Sequence, residues 1–274
     1  MMELKDKIQE HFAGRVVRKS LTKEVKGNAV VPTYVLEYLL GQHCASTDEV
    51  IVQEGIEKVN SILKNNLVHR DKAEDVKFEI INKEGASHRI IDKISARLNE
   101  KDGTYLATFT NLDIKEPVLV SRDIIEKHRK LLTSGVWSII DLSYFITSDG
   151  KGKGSPWLIE GLKPIQISYV DLDEYKEIRR EFTKDEWVDL IMQSLGLEPD
   201  QFNFRSKLLQ LTRMVSFCEN NYNLIELGPK GTGKSHIYSE MSPHGMLISG
   251  GEVTQAKLFV NNTTGQIGLV GYWD

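Results

Sequence analysis

The chain has 274 residues, 40% of them hydrophobic and 27% charged, with 35 Lys and Arg against 39 Asp and Glu for a formal charge of −4. These values are ordinary for a soluble globular protein of about two domains, and the slightly acidic balance gives no overall pull toward nucleic acid, so any DNA contact must come from local patches. No apolar run approaches a membrane span, the stretch Met1-Met-Glu-Leu-Lys-Asp-Lys7 lacks the apolar segment of a secretory leader, and two distant cysteines, Cys44 and Cys218, read as buried reduced thiols; together these predict a cytoplasmic protein with no membrane contact.

Residues 1–72 read as a helical region. Pro32 suits the first residue of a helix that Gly41 would end. Ser46-Thr-Asp-Glu49 has the pattern of a capping box, and Val52, Ile56, Val59 and Leu63 then fall on one helical face. His43 and Cys44 are metal-ligand types, but no second pair is spaced to complete a site.

Residues 73–171 are strand-rich. Val76, Phe78 and Ile80 alternate with polar residues, as do Ile90, Ile94, Ala96 and Leu98, and then Tyr105, Ala107 and Phe109. From Ser121 to Leu132 the spacing becomes helical. Strand character returns at Val136–Phe145 and Trp157–Asp171. Three strands, a helix and two strands is the order of a five-stranded OB-type barrel. Between the last two strands lies Ser148-Asp-Gly-Lys151-Gly-Lys153-Gly-Ser155. OB folds use this connection to hold nucleic acid, and Lys151 and Lys153 would meet phosphates without reading sequence. A solvated turn kept soluble by its lysines is an equal reading of the same residues. Arg89, Lys93 and Arg97 share one strand face and read as a solvated outer barrel surface.

Residues 172–274 change character again. Thr183-Lys-Asp-Glu186 is a second capping box, opening a helix through Trp187, Leu190 and Ile191. Asp200–Asn220 predicts a longer helix. Asn223-Leu-Ile-Glu-Leu227 reads as a strand, and it runs into Gly228-Pro229-Lys230-Gly231-Thr232-Gly233-Lys234-Ser235, which spells GxxxxGK[ST]. This phosphate-binding loop needs glycine so that backbone N–H groups can turn inward onto phosphate oxygens. Lys234 would reach the β- and γ-phosphates of ATP, Ser235 would place its hydroxyl on Mg²⁺, and a helix through His236 would follow. Gly245–Ser249 predicts the next strand. The fold class is therefore α+β: a helical region, an OB-type barrel, then the start of a P-loop α/β domain, for which AAA+ is what the following resemblance implies.

The run Glu226–His236, with Pro243-His-Gly, Leu247-Ile-Ser-Gly-Gly251 and Gly268-Leu-Val-Gly-Tyr-Trp-Asp274, resembles the BrxL family, the Lon-related AAA+ proteins of bacterial BREX anti-phage systems. The likeness is strong over residues 223–274, and the upstream regions are consistent with that family's amino-terminal part. The resemblance implies a ring-forming ATPase that binds double-stranded DNA, uses ATP and Mg²⁺, and works beside other BREX components. A helical-plus-OB region ahead of an AAA+ motor also looks like the plan of MCM helicases. On this likeness the acidic motif that completes hydrolysis is expected beyond Asp274. The chain then reads as an amino-terminal fragment without catalytic residues of its own. Two rivals stand beside this reading: a non-enzymatic DNA-binding or oligomerising module with an inert ATPase unit, and an unrelated P-loop kinase or GTPase.

Overall fold

The computed structural model describes residues 3–27, 29–99, 103–132, 135–145, 155–166, 170–245, 247–248, 253–260, 262–263 and 268–272. In chain order the elements are α1 (Leu4–His11), α2 (Leu21–Lys26), α3 (Thr33–His43), α4 (Glu49–Asn66), α5 (Ala73–Asn82), β1 (His88–Asn99), β2 (Thr104–Phe109), β3 (Val118–Val120), α6 (Arg122–Lys127), β4 (Val136–Tyr144), β5 (Trp157–Pro164), α7 (Leu172–Arg180), α8 (Lys184–Ser194), α9 (Phe204–Cys218), α10 (Lys234–Glu240) and α11 (Gln255–Leu258). They fall into two units. One joins residues 1–61 to 166–247, and the other comprises 62–165 with 248–274. Among the described residues, no helix is long and apolar enough to cross a membrane.

The second unit is built on a closed barrel of strand order β1-β2-β3-β5-β4. Neighbours are antiparallel except β3 and β5, which meet in parallel through Leu119 and Leu158. Alternation turns Ile90, Ile94 and Ala96 of β1, Phe109 of β2, Ile140 and Leu142 of β4, and Trp157 and Ile159 of β5 into one core. α6 adds Ile125, and its start is held by Ser121, whose hydroxyl accepts from the Ile124 N–H. Asp92 also points inward and is fully buried. Its carboxylate accepts from the N–H of Lys93 (2.7 Å), Asn111 (3.1 Å) and Leu112 (2.8 Å) and from Asn111 Nδ2 (2.9 Å). Burial pushes this carboxyl up from its ordinary range, and these donors pull against that. The result is a polar pin that fixes the segment after β2 to the middle of β1.

Two barrel expectations are corrected. The run at Val76–Ile80 is helical, in α5. Ala73, Val76 and Ile80 lie three and four apart and share its inner face, whereas Phe78, which alternation would bury, is 66% exposed. The strand that completes the first three is instead β3, which begins directly after Pro117. β5 also stops at Pro164 rather than continuing to Asp171.

In the first unit α2 packs on α3, α1 on α8 and α8 on α9. Val35, Leu36, Leu39 and Leu40 of α3 and Val52, Ile56 and Val59 of α4 are buried. A second cluster forms where Phe12 meets Tyr175, Phe182 and Trp187. The Thr183–Glu186 capping box is present in both halves. The other is shifted in frame: Asp48, not Ser46, caps α4 by accepting from the Val50 N–H at 2.8 Å, and Glu49 is gripped by Arg18 through two 2.8 Å bonds. α3 starts at Thr33, so Pro32 is its cap residue, and the helix runs past Gly41 to His43 because the buried Leu39–Leu40 turn carries it on. The longer helix begins at Phe204 rather than Asp200, with Asn203 as its cap, and Cys218 at its end is exposed rather than buried.

Gly55, within α4, sits against the backbone where α3 ends. A Cβ there would lie 2.3 Å from the His43 carbonyl oxygen and 2.7 Å from Cys44 Sγ. Alanine in a helix normally gains up to about 1 kcal/mol over glycine. Here overpacking, typically about 1–3 kcal/mol, should outweigh that gain. Gly55→Ala should therefore lower the melting temperature, and an unchanged or raised value would show that the α3–α4 corner yields freely.

Candidate nucleotide site

Residues 223–227 belong to no helix or strand, and no strand pairing forms there among the described residues. The expected strand is thus corrected to an unpaired segment: apolar character supplies strand propensity, but a strand also needs a neighbour to exchange backbone bonds with. Ile225 and Leu227 are 87% and 90% exposed. Gly245–Ser249 includes residues outside those described, and its described part carries no strand.

The loop itself is compact. Gly231 and Gly233 have φ of 81° and 76°, the left-handed region that a side chain disfavours, and no neighbour would meet a Cβ at either. Backbone conformation, not space, therefore calls for glycine here. Gly233 is the cap residue of α10, and no side chain caps that start. Lys234 opens the helix. Its Nζ turns back over the loop and donates to the carbonyls of Gly228 (3.1 Å) and Pro229 and to Thr232 Oγ1 (2.9 Å). Thr232 Oγ1 also donates to the Pro229 carbonyl at 3.2 Å. Pro229, Lys230, Ser235 and His236 line the same stretch, with Lys230 exposed. From Gly228 to His236 the chain offers two ammonium groups, a helix start without a side-chain cap and no carboxylate. That donor set fits a polyanion such as a nucleoside triphosphate.

The nearest acid in sequence, Glu226, is bound on the α9 side. Arg213 of α9 holds it through Nε (2.9 Å) and Nη2 (2.5 Å), and Nη2 also reaches the Thr232 carbonyl at 3.5 Å. Tyr238 of α10 donates its hydroxyl to the Arg213 carbonyl at 3.3 Å and stacks on Phe217. At the far end of α10, Glu240 accepts from the Thr33 N–H (2.9 Å) and hydroxyl (3.1 Å), capping α3. Burial, and then the Glu240 charge, push the neighbouring Tyr34 hydroxyl up to about 12. Sequence reading singled out none of Arg213, Tyr238 or Glu240, and it took Glu226 only as part of a strand and as the first residue of the run that carries the resemblance. The available signal was a charge set inside each of two otherwise apolar runs.

Lys151 and Lys153 lie outside the described residues. The strands they join are paired up to Tyr144 and Trp157. On β1, Arg89 is engaged by Asp141 at 2.8 and 3.0 Å, Lys93 is half-buried and Arg97 exposed. Arg89 is therefore a surface ion pair, not an open cation.

Residues 10–144 match the family described as BREX system Lon protease-like protein BrxL N-terminal, and residues 157–274 match Lon-like protease BrxL-like, ATPase domain. The chain is similar to a Lon-like protease BrxL of Escherichia coli O9:H4 (strain HS), 49% identical over 97% of this chain and 38% of that protein. It is also similar to a Lon-like protease BrxL of Bacillus cereus (strain H3081.97), 48% identical over 100% of this chain and 40% of that protein. The chain thus spans about two fifths of the length of these curated relatives. With the loop inside the segment that matches the ATPase domain, and family matches over both units, the chain belongs to the BrxL family of Lon-like proteins.

Proposed function

We propose that this chain is the DNA-binding and nucleotide-loop portion of a ring-forming AAA+ ATPase in bacterial BREX anti-phage defence. The observation that carries the reading is the Gly228–Ser235 loop, with its two left-handed glycines and its inward-turned Lys234, inside a segment that matches an ATPase family. The loop N–H groups and Lys234 hold the β- and γ-phosphates of ATP, and Ser235 holds Mg²⁺. ATP supplies the phosphoryl group whose transfer to water drives the motor. The barrel is of OB type: its strand order, its parallel β3–β5 contact and α6 between β3 and β4 support this. Lys151 and Lys153, on the connection between β4 and β5, contact duplex phosphates in each copy around the ring.

A second reading has its own observation. With Ile225 and Leu227 exposed and unpaired beside the loop, the 274-residue chain by itself is a DNA-binding or oligomerising module that does not turn over ATP.

The DNA half of the proposal is tested by titrating labelled duplex onto the full-length protein at two salt concentrations, with Lys151 and Lys153 intact or both replaced by alanine. Affinity should fall for all sequences alike. The slope of log affinity against log salt should flatten by about 0.9 for each phosphate that the altered protein no longer neutralises. Wild-type affinity and slope in an intact ring would leave these lysines as a solvated turn.

A further inference from the structure

We propose that Arg213 is a positioning residue that sets the direction of the nucleotide loop, an inference that rests on the nucleotide reading of Gly228–Ser235. Arg213 is only 8% exposed, in the second half of α9. Stability does not explain a buried guanidinium, since an apolar side chain of similar volume commonly serves as well or better. What an apolar residue cannot do is fix directions, and the Arg213 fork fixes several.

Glu226 lies two residues before Gly228, and both its carboxylate oxygens are held by the guanidinium. The segment leading into the loop is thereby tied to α9, although it has no ladder partner of its own among the described residues. The remaining reach of Nη2 is to the Thr232 carbonyl. Across a trans peptide the C=O and the next N–H point in opposite directions. Drawing the Thr232 carbonyl toward Arg213 therefore turns the Gly233 N–H away from α9. The loop's exit is held by the same stretch of helix, because the Arg213 carbonyl accepts from Tyr238 and Phe217, one turn on, stacks with Tyr238 at 5.5 Å. Arg213 thus bonds the segment before the loop, the loop and the helix after it.

The test uses the full-length protein and a fluorescent N-methylanthraniloyl ATP as the binding probe, with amide exchange of residues 228–234 followed without nucleotide. Arg213→Met keeps volume and loses direction. Its dissociation constant should rise about tenfold, the scale of a lost charge-assisted bond pair, and the loop amides should exchange faster. In turnover assays the change should fall on KM more than on kcat. Arg213→Lys, which keeps the charge but not the fork, should lie between. Glu226→Gln, which preserves shape, should shift affinity the same way and decides the matter if Arg213→Met does not fold. Wild-type affinity and loop exchange in folded Arg213→Met, or in Glu226→Gln in its place, would overturn the proposal. Lys234→Ala is the control for the underlying reading: if it too binds the probe normally, the nucleotide assignment has failed, whereas loss of binding in Lys234→Ala alone condemns only the role of Arg213.

Discussion

Replacing Lys234 with alanine in the full-length protein should reduce ATP turnover about a hundredfold or more, the usual scale when a preorganised charge is removed from a developing anion. The magnitude follows from the placement of Nζ. Two loop carbonyls and the Thr232 hydroxyl hold it over the loop, where its three donors can exchange these acceptors for phosphate oxygens. Lys230, the loop's other lysine, is exposed and stands four residues before the helix start. Lys234→Arg should rescue poorly, since a planar fork does not fit a site that grips a compact ammonium. The check is steady-state turnover together with equilibrium ATP binding, on protein with a normal melting temperature. Undiminished turnover would remove Lys234 from the site.

The second large effect concerns where the barrel ends. The amino-terminal family match stops at residue 144, the last of β4, and the ATPase match starts at residue 157, the first of β5. That division passes through the barrel. β5 pairs with β4 along its length and closes the sheet against β3. It also supplies the buried Trp157 and Ile159, and the Trp157 indole donates to Glu116 at 2.7 Å. A lost buried tryptophan alone costs about 3–5 kcal/mol, against about 5–15 kcal/mol for a whole domain, and two strand edges would be left open. A chain cut after residue 144 should therefore lose cooperative thermal unfolding, while one cut after residue 166 should keep it. Equally sharp melting of both, with the same β-sheet circular dichroism, would mean that β5 is dispensable.

The sequence was most legible where local chemistry and final packing agree. β1 and β2 alternate because one face lines the barrel, and the Thr183–Glu186 box is complete within four residues. It misled where one pattern serves two periods. Val76 and Ile80 fit alternation and a helical turn equally, and only the exposed Phe78 separates them. β3 was invisible because three residues carry no period. The loop was legible because glycines with positive φ leave a literal spacing. Its supports were not, since Arg213 and Glu226 are 13 residues apart, and Thr33 and Glu240 are 207 apart. Long-range partners of this kind leave at most a charge in an apolar run, which does not name its partner.

The split first unit has a consequence for the order in which a growing chain can fold. Residues 1–61 leave the ribosome before residues 62–165, yet they share their unit with residues 166–247. Even the start of α3 waits for Glu240 to accept its N–H. All five barrel strands are complete by Pro164, so the barrel can close while synthesis continues, reversing the usual sequence in which the earliest segment folds first. The chain cut after residue 166 reproduces that moment: its barrel should resist protease while residues 1–61 remain cleavable. Protection of both would mean that the helices hold without their later partners. Until synthesis passes residue 240, the N–H and hydroxyl of Thr33 at the start of α3 lack the carboxylate that caps them in the finished fold.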